Sequence, residues 1–257
     1  MDEIENVKKI SATVGLANSK TRTKDGIRFT ESVVAEVLGE ETLLLDPNRG
    51  VQGIIAGLNE AMRKLEADLF VGIDVGGDVL AGGTEERLCS MLADSMSLAA
   101  MVNLDVPAVL GVLGCCTDGE LSPDQFNRQV ARAASYGGFL GARGLVPEDL
   151  AVLDKLIPKT KTESSALALE AARGRIGRVI RGGYREVLLT PVAAITFYFD
   201  PQVVFERISK VAKRLVPTRS LDEAQRVLEE EGVPSELTFE RNYVWKKYIK
   251  NDGSCGG

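Results

Sequence analysis

The chain has 257 residues, of which 44% are hydrophobic, 26% charged and 5% aromatic, and 31 basic against 37 acidic side chains leave a formal charge of −6. It contains no histidine, which excludes His-dependent nucleophile pairs, histidine general bases and the usual His-containing zinc sites. The acidic balance argues against nucleic acid as a partner, because binding to phosphate requires a basic surface.

The cysteines indicate a reducing, intracellular compartment, so we expect a cytoplasmic protein. There are four of them: Cys89, Cys115, Cys116 and Cys255. The acidic start of the chain lacks the apolar segment of a signal peptide. No apolar run approaches the ~20 residues of a membrane helix, so we expect no membrane partner.

The first half of the chain predicts alternating strands and helices. The first 30 residues are polar, with no clear element. A helix over 32–38 then leads to a buried strand over 42–45 and a helix over 51–67. A second strand at 69–73 precedes a glycine-rich loop and a helix over 84–102, for which Thr84 is the expected cap. A third strand at 108–113 precedes a helix that starts in the capping box at Ser122 and ends near 136.

The second half is expected to be helical at first and then to turn to strands. Helices are predicted over 147–156 and 163–173, and strands over 178–181, 186–190 and 193–199. The Gly182-Gly183 pair between the first two strands favours a hairpin. Further helices are expected after Asp200-Pro201 and over 221–231.

Three strand–loop–helix units in a row favour an α/β fold. We expect three layers around a mostly parallel, Rossmann-like sheet, with a C-terminal hairpin and strand region and peripheral helices. The pattern fades after 232, so the sequence predicts one domain over 1–232 and a C-terminal extension or tail over 233–257.

Ligands of open α/β sheets lie at the carboxyl ends of the strands. There, Asp74 and Asp78 flank Gly76-Gly77, which allow close backbone approach to a ligand. Both aspartates could point into one crevice and hold Mg²⁺ or transfer protons, and Glu86 joins them as a catalytic candidate. The alternative is that either aspartate caps the following turn or helix. No GxGxxG or P-loop motif is present.

Other residues at these strand ends and helix starts are candidates for binding a ligand, since free helix N–H groups suit an anion. They are Gly76, Gly77, Glu85, Ser90, Asp94, Asp118 and Glu120. Asp94 is either a ligand or a solvated helix charge, and Glu120 is either a ligand or a cap. Arg181 and Arg185 could clamp a carboxylate or phosphate, or form ordinary surface ion pairs. Cys115 and Cys116 are either thiols with a lowered pKa or core residues.

The chain resembles an uncharacterised, mainly archaeal family, a domain of unknown function. The resemblance rests on a D-x-G-G-D-V-L loop at 74–80 followed by an S-x-L-A-D helix at 90–94, with supporting matches at 110–114, 118–121, 180–183, 190–191 and 200–201. It covers about residues 3–232 and implies the fold and the location of the site, but no reaction. Relatives usually open with a strand and a glycine run, so part of the sheet and of the ligand site is expected to be absent here. At 115–117 relatives have a more glycine-like turn.

Three functional hypotheses follow. The first is an intracellular enzyme that acts on a small anionic metabolite (phosphorylated, nucleotide or carboxylate), with Mg²⁺ as a candidate cofactor. The second is a non-catalytic small-molecule-binding or regulatory subunit. The third is a fragment that needs a partner to complete its sheet, and a homo-oligomer is compatible with all three.

Overall fold

The structure, a computed structural model, describes residues 1–160, 162–181 and 185–238. Its strands are β1 (Ile4–Lys9), β2 (Val14–Thr23), β3 (Thr42–Leu45), β4 (Phe70–Val75), β5 (Ala108–Leu113), β6 (Phe139–Gly144), β7 (Gly177–Arg181), β8 (Arg185–Leu189) and β9 (Ile195–Phe199). Its α-helices are α1 (Thr30–Leu38), α2 (Gly50–Lys64), α3 (Met91–Met101), α4 (Pro123–Ser135), α5 (Pro147–Leu156), α6 (Glu163–Ala172), α7 (Pro201–Val203), α8 (Ala212–Leu215) and α9 (Leu221–Glu230).

The described strands form three sheets. The first is antiparallel with the order β1-β2-β3, the second has the order β4-β5-β9-β6, and β7 pairs with β8 as a separate antiparallel ribbon. The two strands of the expected hairpin are therefore present, while the Gly182-Gly183 turn lies outside the described residues.

The chain has an α/β fold, but the expectation of a mostly parallel sheet is wrong. Among the described strands only β4 and β5 pair in parallel, and β9 runs antiparallel to both of its neighbours, β5 and β6. β9 follows the separate ribbon β7-β8 and a short 3₁₀ turn, Pro191–Ala194, so no single strand–helix–strand unit joins it to β5 or β6 and imposes a parallel direction. Within the described ranges, the expected second helical layer does not cover β4, where Val71 and Ile73 are about half-exposed.

The N-terminal segment contains two strands that the sequence analysis missed. β1 is largely exposed and ends in two lysines, and the buried positions of β2 are taken partly by small or polar residues, so neither strand shows a regular apolar alternation. β2 also takes β3 as its antiparallel neighbour, through the pair Gly15 and Leu44. The strand at 42–45 is therefore real, but it does not belong to the parallel pair.

The main core lies between the four-stranded sheet and the helices on one of its faces. Leu110 and Val112 of β5 and Phe199 of β9 point to this face. They are joined there by buried side chains of α2, α3, α4, α8 and α9. Within the described ranges, no helix combines the length and the apolar character that crossing a bilayer requires.

Candidate functional site

The carboxyl end of β4 forms one side of the candidate site. Asp74 is buried near the end of the strand, and the glycines that follow have positive φ, +147° at Gly76 and +112° at Gly77. Asp78 opens a short 3₁₀ turn, Asp78–Leu80, and is also buried. The Val79 N–H lies 3.4 Å from Asp74 Oδ2. The loop therefore turns back on itself and brings two carboxylates together.

The first turn of α3 adds a third carboxylate. Each of Asp74, Asp78 and Asp94 offers one oxygen, and these oxygens all lie within 4.8 Å of one another. We call these three residues the carboxylate centre. Asp78 and Asp94 also share a side-chain hydrogen bond. Asp94, which the sequence left open as a ligand or a solvated charge, lies within the centre and is only partly exposed.

Burial and mutual repulsion make the carboxylate centre costly to ionise. Loss of hydration raises the pKa of Asp74 well above its usual value, and the charges of Asp78 and Asp118 add to that effect. Burial likewise raises the pKa of Asp78 and of Asp94. Protons or a cation must therefore compensate the negative charge here.

The loop after β5 brings Asp118 beside the centre. Asp118 is 5% exposed, its Oδ1 accepts the Glu120 N–H at 2.8 Å, and its Oδ2 has no hydrogen-bond partner among the described residues. Burial raises its pKa to about 6, and nearby Arg181 and Arg185 oppose the rise. A Cβ atom on Gly76 would overlap the Asp118 carboxylate, so the two loops touch at that glycine.

Glu120 has the contacts of a helix cap. Its carboxylate accepts the backbone N–H of Cys89 at 2.7 Å and of Ser90 at 3.2 Å, just before α3 begins. It also accepts the Ser90 hydroxyl and forms a salt bridge of 3.3 Å with Arg185. Ser90 Oγ lies 3.3 Å from Asp78 Oδ2 as well, so this serine links Glu120 to the carboxylate centre.

Glu85 closes its own loop, and this explains why the helix predicted over 84–102 begins only at Met91. The Glu85 carboxylate accepts the backbone N–H groups of Gly82, Gly83 and Thr84 at 2.9–3.0 Å. Burial opposes its ionisation, but these donors hold the pKa of Glu85 below its usual value. Thr84 therefore does not cap a helix, and the segment up to Ser90 stays irregular.

Glu86 lies outside the carboxylate centre. It is exposed and lines a shallow polar depression together with Gln125 and Arg128. The predicted catalytic set of Asp74, Asp78 and Glu86 is therefore divided, since only the two aspartates come together.

Arg181 and Arg185 hold the loop after β5 in place. Both guanidinium groups donate to the Asp118 carbonyl oxygen, at 3.1 and 3.0 Å, and Arg185 also donates to Cys89 Sγ at 2.8 Å. Arg181 further pairs with Glu163, with 3.5 Å between Nε and Oε2. All of these contacts join the two arginines to other groups of the same chain, namely Asp118, Cys89 and Glu163.

Cys115 and Cys116 are core residues. Both are buried, and a hydrogen bond from Cys115, followed by burial, raises the pKa of Cys116. Of the two alternatives left by the sequence, a core residue is the one that Cys116 fits. Cys116 has φ of +66°, a left-handed conformation that favours glycine.

Glu236 is the residue of this region that the sequence analysis missed. Its carboxylate accepts the backbone N–H groups of Leu92 at 3.0 Å and Ala93 at 2.7 Å in the first turn of α3. Its charge also helps to raise the pKa of Asp94, after burial and Asp74. It lies in the segment where the periodic pattern fades, so only the fold reveals it.

Comparison with known proteins gives one match. A family model described as "Protein of unknown function (DUF1152)" matches residues 1–244. The resemblance to a family of unknown function is therefore confirmed. No curated protein and no solved structure matches the chain.

Proposed function

Since the chain belongs to the DUF1152 family, whose description names no activity, we propose from the site alone that it binds a divalent cation, Mg²⁺ or Mn²⁺, at Asp74, Asp78 and Asp94. This cation then holds a small anionic metabolite. The observation that carries the proposal is the mutual approach of three carboxylate oxygens within 4.8 Å. Carboxylate oxygens are the ligands that hard divalent cations prefer.

The state of Asp118 supports a cation rather than a purely structural cluster. Its Oδ2 is buried without a hydrogen-bond partner among the described residues, and buried polar atoms are normally paired. A positive charge in the carboxylate centre would compensate this oxygen through space or through a bound water. Asp118, with its pKa raised to about 6, is the group suited to exchange a proton near neutral pH.

The anionic metabolite would be held by the cation and not by the loop amides. Glu85, Glu120 and Glu236 already accept backbone N–H groups of residues 82–84, 89–90 and 92–93. A phosphate or carboxylate would have to displace these internal carboxylates. A metal-bridged anion needs no such displacement.

The architecture supports placing the site on a Rossmann-like half. β4, α3 and β5 form a parallel pair with a helix between its strands, and the carboxylate centre sits at the carboxyl end of β4. If the site supports turnover, Asp118 is the acid–base group, because Asp74, Asp78 and Asp94 coordinate the cation. The alternative is a non-catalytic binding or regulatory subunit, distinguished by saturable binding without turnover.

The test is calorimetric titration of Mn²⁺ and Mg²⁺ into the wild type, Asp78→Asn and the matched control Asp25→Asn, which changes an exposed aspartate. We expect Asp78→Asn to weaken cation affinity at least tenfold and Asp25→Asn to leave it unchanged. Thermal unfolding gives a second readout. A cation at about 100 times its Kd stabilises the native state by about 2.7 kcal/mol.

The unfolding midpoint without cation shows whether Asp78→Asn has lost the cation effect because it misfolds, since a misfolded variant would have a lowered midpoint. Without cation, Asp78→Asn removes like-charge repulsion, so its unfolding midpoint should rise above that of the wild type. Equal cation affinities in the wild type, Asp78→Asn and Asp94→Asn would contradict the proposal.

A further inference from the structure

An apolar cavity of about 240 Å³ lies beside the carboxylate centre. It is bounded by β3, α2, β4, α3 and β5, and most of its wall is aliphatic or aromatic. The apolar side chains of its lining include Leu43, Leu58, Phe70, Leu98, Met101 and Leu110.

The cavity is continuous with the carboxylate centre, because Asp74 and Asp94 belong to its lining. Its lining therefore combines two acidic side chains with a mostly apolar wall. An apolar space bordered by two carboxylates fits a ligand with an apolar body and a polar head beside them.

We propose that the metabolite bound through the cation is an amphiphile, a phosphate or carboxylate with a compact alkyl or aryl group that fills this cavity. The inference rests on the proposed cation site and adds the class of ligand. An apolar cavity of about 150 Å³ holds one benzene molecule. By that scale the present cavity holds about six to ten carbon atoms, fewer than the acyl chains of a membrane lipid.

This class of ligand explains a feature that a bare anion leaves unexplained. Inorganic phosphate at the cation would leave the apolar space without an occupant. A short alkyl or aryl group buries its surface there, and each additional buried CH₂ contributes several-fold to affinity. The cavity therefore discriminates between metabolites with the same anionic head.

Ser97 offers a way to change the cavity without disturbing the core. It lies on α3, lines the cavity and is exposed. Ser97→Trp should fill part of the space, whereas Ser97→Ala should leave it open. Ser135→Trp, at an exposed serine at the end of α4, is the matched control for adding an indole ring elsewhere.

The experiment is calorimetric titration of n-hexyl phosphate and methyl phosphate into the full chain saturated with Mn²⁺. We expect hexyl phosphate to bind the wild type, Ser97→Ala and Ser135→Trp about tenfold or more tightly than methyl phosphate. In Ser97→Trp the two ligands should bind with similar affinity, while Mn²⁺ affinity stays at the wild-type value.

The outcomes separate this inference from the proposed function. If Mn²⁺ binds and the two phosphates have equal affinity for the wild type, the apolar ligand is overturned and the cation site stands. Equal preference for hexyl phosphate in Ser97→Trp overturns the cavity as its location. Tight hexyl phosphate binding in excess chelator overturns the link between cavity and cation. If Mn²⁺ does not bind to the wild type, the proposed cation site is wrong, and the inference that rests on it is overturned with it.

Discussion

At the scale of single residues, Asp118 has the clearest energetic consequence. Its pKa is about 6 in the folded chain against 3.8 for an ordinary aspartate, chiefly because of burial. Between these pH values the unfolded chain has released a proton that the folded chain keeps. Stability therefore falls as pH rises from about 4 to about 6. At neutral pH the free energy of unfolding is lower by about 3 kcal/mol than it would be with an ordinary aspartate pKa, because each pKa unit corresponds to about 1.4 kcal/mol.

We predict that Asp118→Asn stabilises the cation-free protein by about 1–3 kcal/mol at pH 7 and by almost nothing at pH 4. The amide cannot ionise, and its oxygen can still accept the Glu120 N–H. Urea unfolding in EDTA at pH 4, 5, 6 and 7 measures the difference. Asp25→Asn serves as the exposed control, and a stabilisation that is the same at every pH would contradict the prediction.

The residues of the site were predictable where they follow a strand. Asp74 and Asp78 flank two glycines directly after β4, and this local pattern predicts carboxylates that point together. Asp94 was recognisable only as a possibility, because its position depends on where α3 starts. Glu236 could not be predicted, since it reaches α3 from the far end of the chain and no local pattern encodes that contact.

At the scale of elements, α3 depends on carboxylates from distant segments. Its N-cap, Ser90, makes no side-chain cap hydrogen bond. Glu120, from the loop after β5, and Glu236, from the segment after α9, accept N–H groups at its start instead. The helix that supplies Asp94 is thus fixed in position by two other parts of the chain.

Glu236→Ala should destabilise the protein by about 1–2 kcal/mol, because two helix N–H groups lose their acceptor. Glu236→Gln keeps one acceptor oxygen and should lose less. Chemical unfolding measures the free energy, and hydrogen exchange should accelerate at the Leu92 and Ala93 amides. Glu41→Ala, at an exposed glutamate, should change neither quantity. Unchanged exchange at these amides in Glu236→Ala would show that the cap is not needed.

Elements with local signals were predictable and those without were not. The capping box of Ser122 and Gln125 is present and starts α4 at Pro123. The start of α3 was misplaced because Thr84-Glu85 has the composition of a cap, while the Glu85 carboxylate in fact binds N–H groups that precede it. β6 was missed because glycines at 141 and 144 interrupt its pattern.

At the scale of the whole molecule, one core joins both ends of the described chain. Buried residues from Ile10 and Val14, near the first sheet, to Val233, after α9, belong to a single cluster. The antiparallel sheet β1-β2-β3 therefore shares its packing with the sheet that carries the site. The expectation that the early strands pair in parallel was wrong for β3, because strand neighbours are set by contacts between distant segments.

We expect the chain to unfold in one cooperative step. Since removing the sheet β1-β2-β3 would expose part of the shared core, calorimetric and van't Hoff enthalpies should agree, and far-UV and near-UV circular dichroism should change together. Two separated transitions would show that the N-terminal sheet folds independently of the rest.

The contact between Gly76 and Asp118 also has an evolutionary consequence. No side chain larger than hydrogen fits at position 76 while a carboxylate occupies its present place at position 118. The two positions lie on separate loops, yet neither can change freely without the other. Across homologous sequences, a non-glycine residue at 76 should therefore coincide with a smaller residue at 118. Such paired substitutions would mark lineages in which this side of the site has been rebuilt.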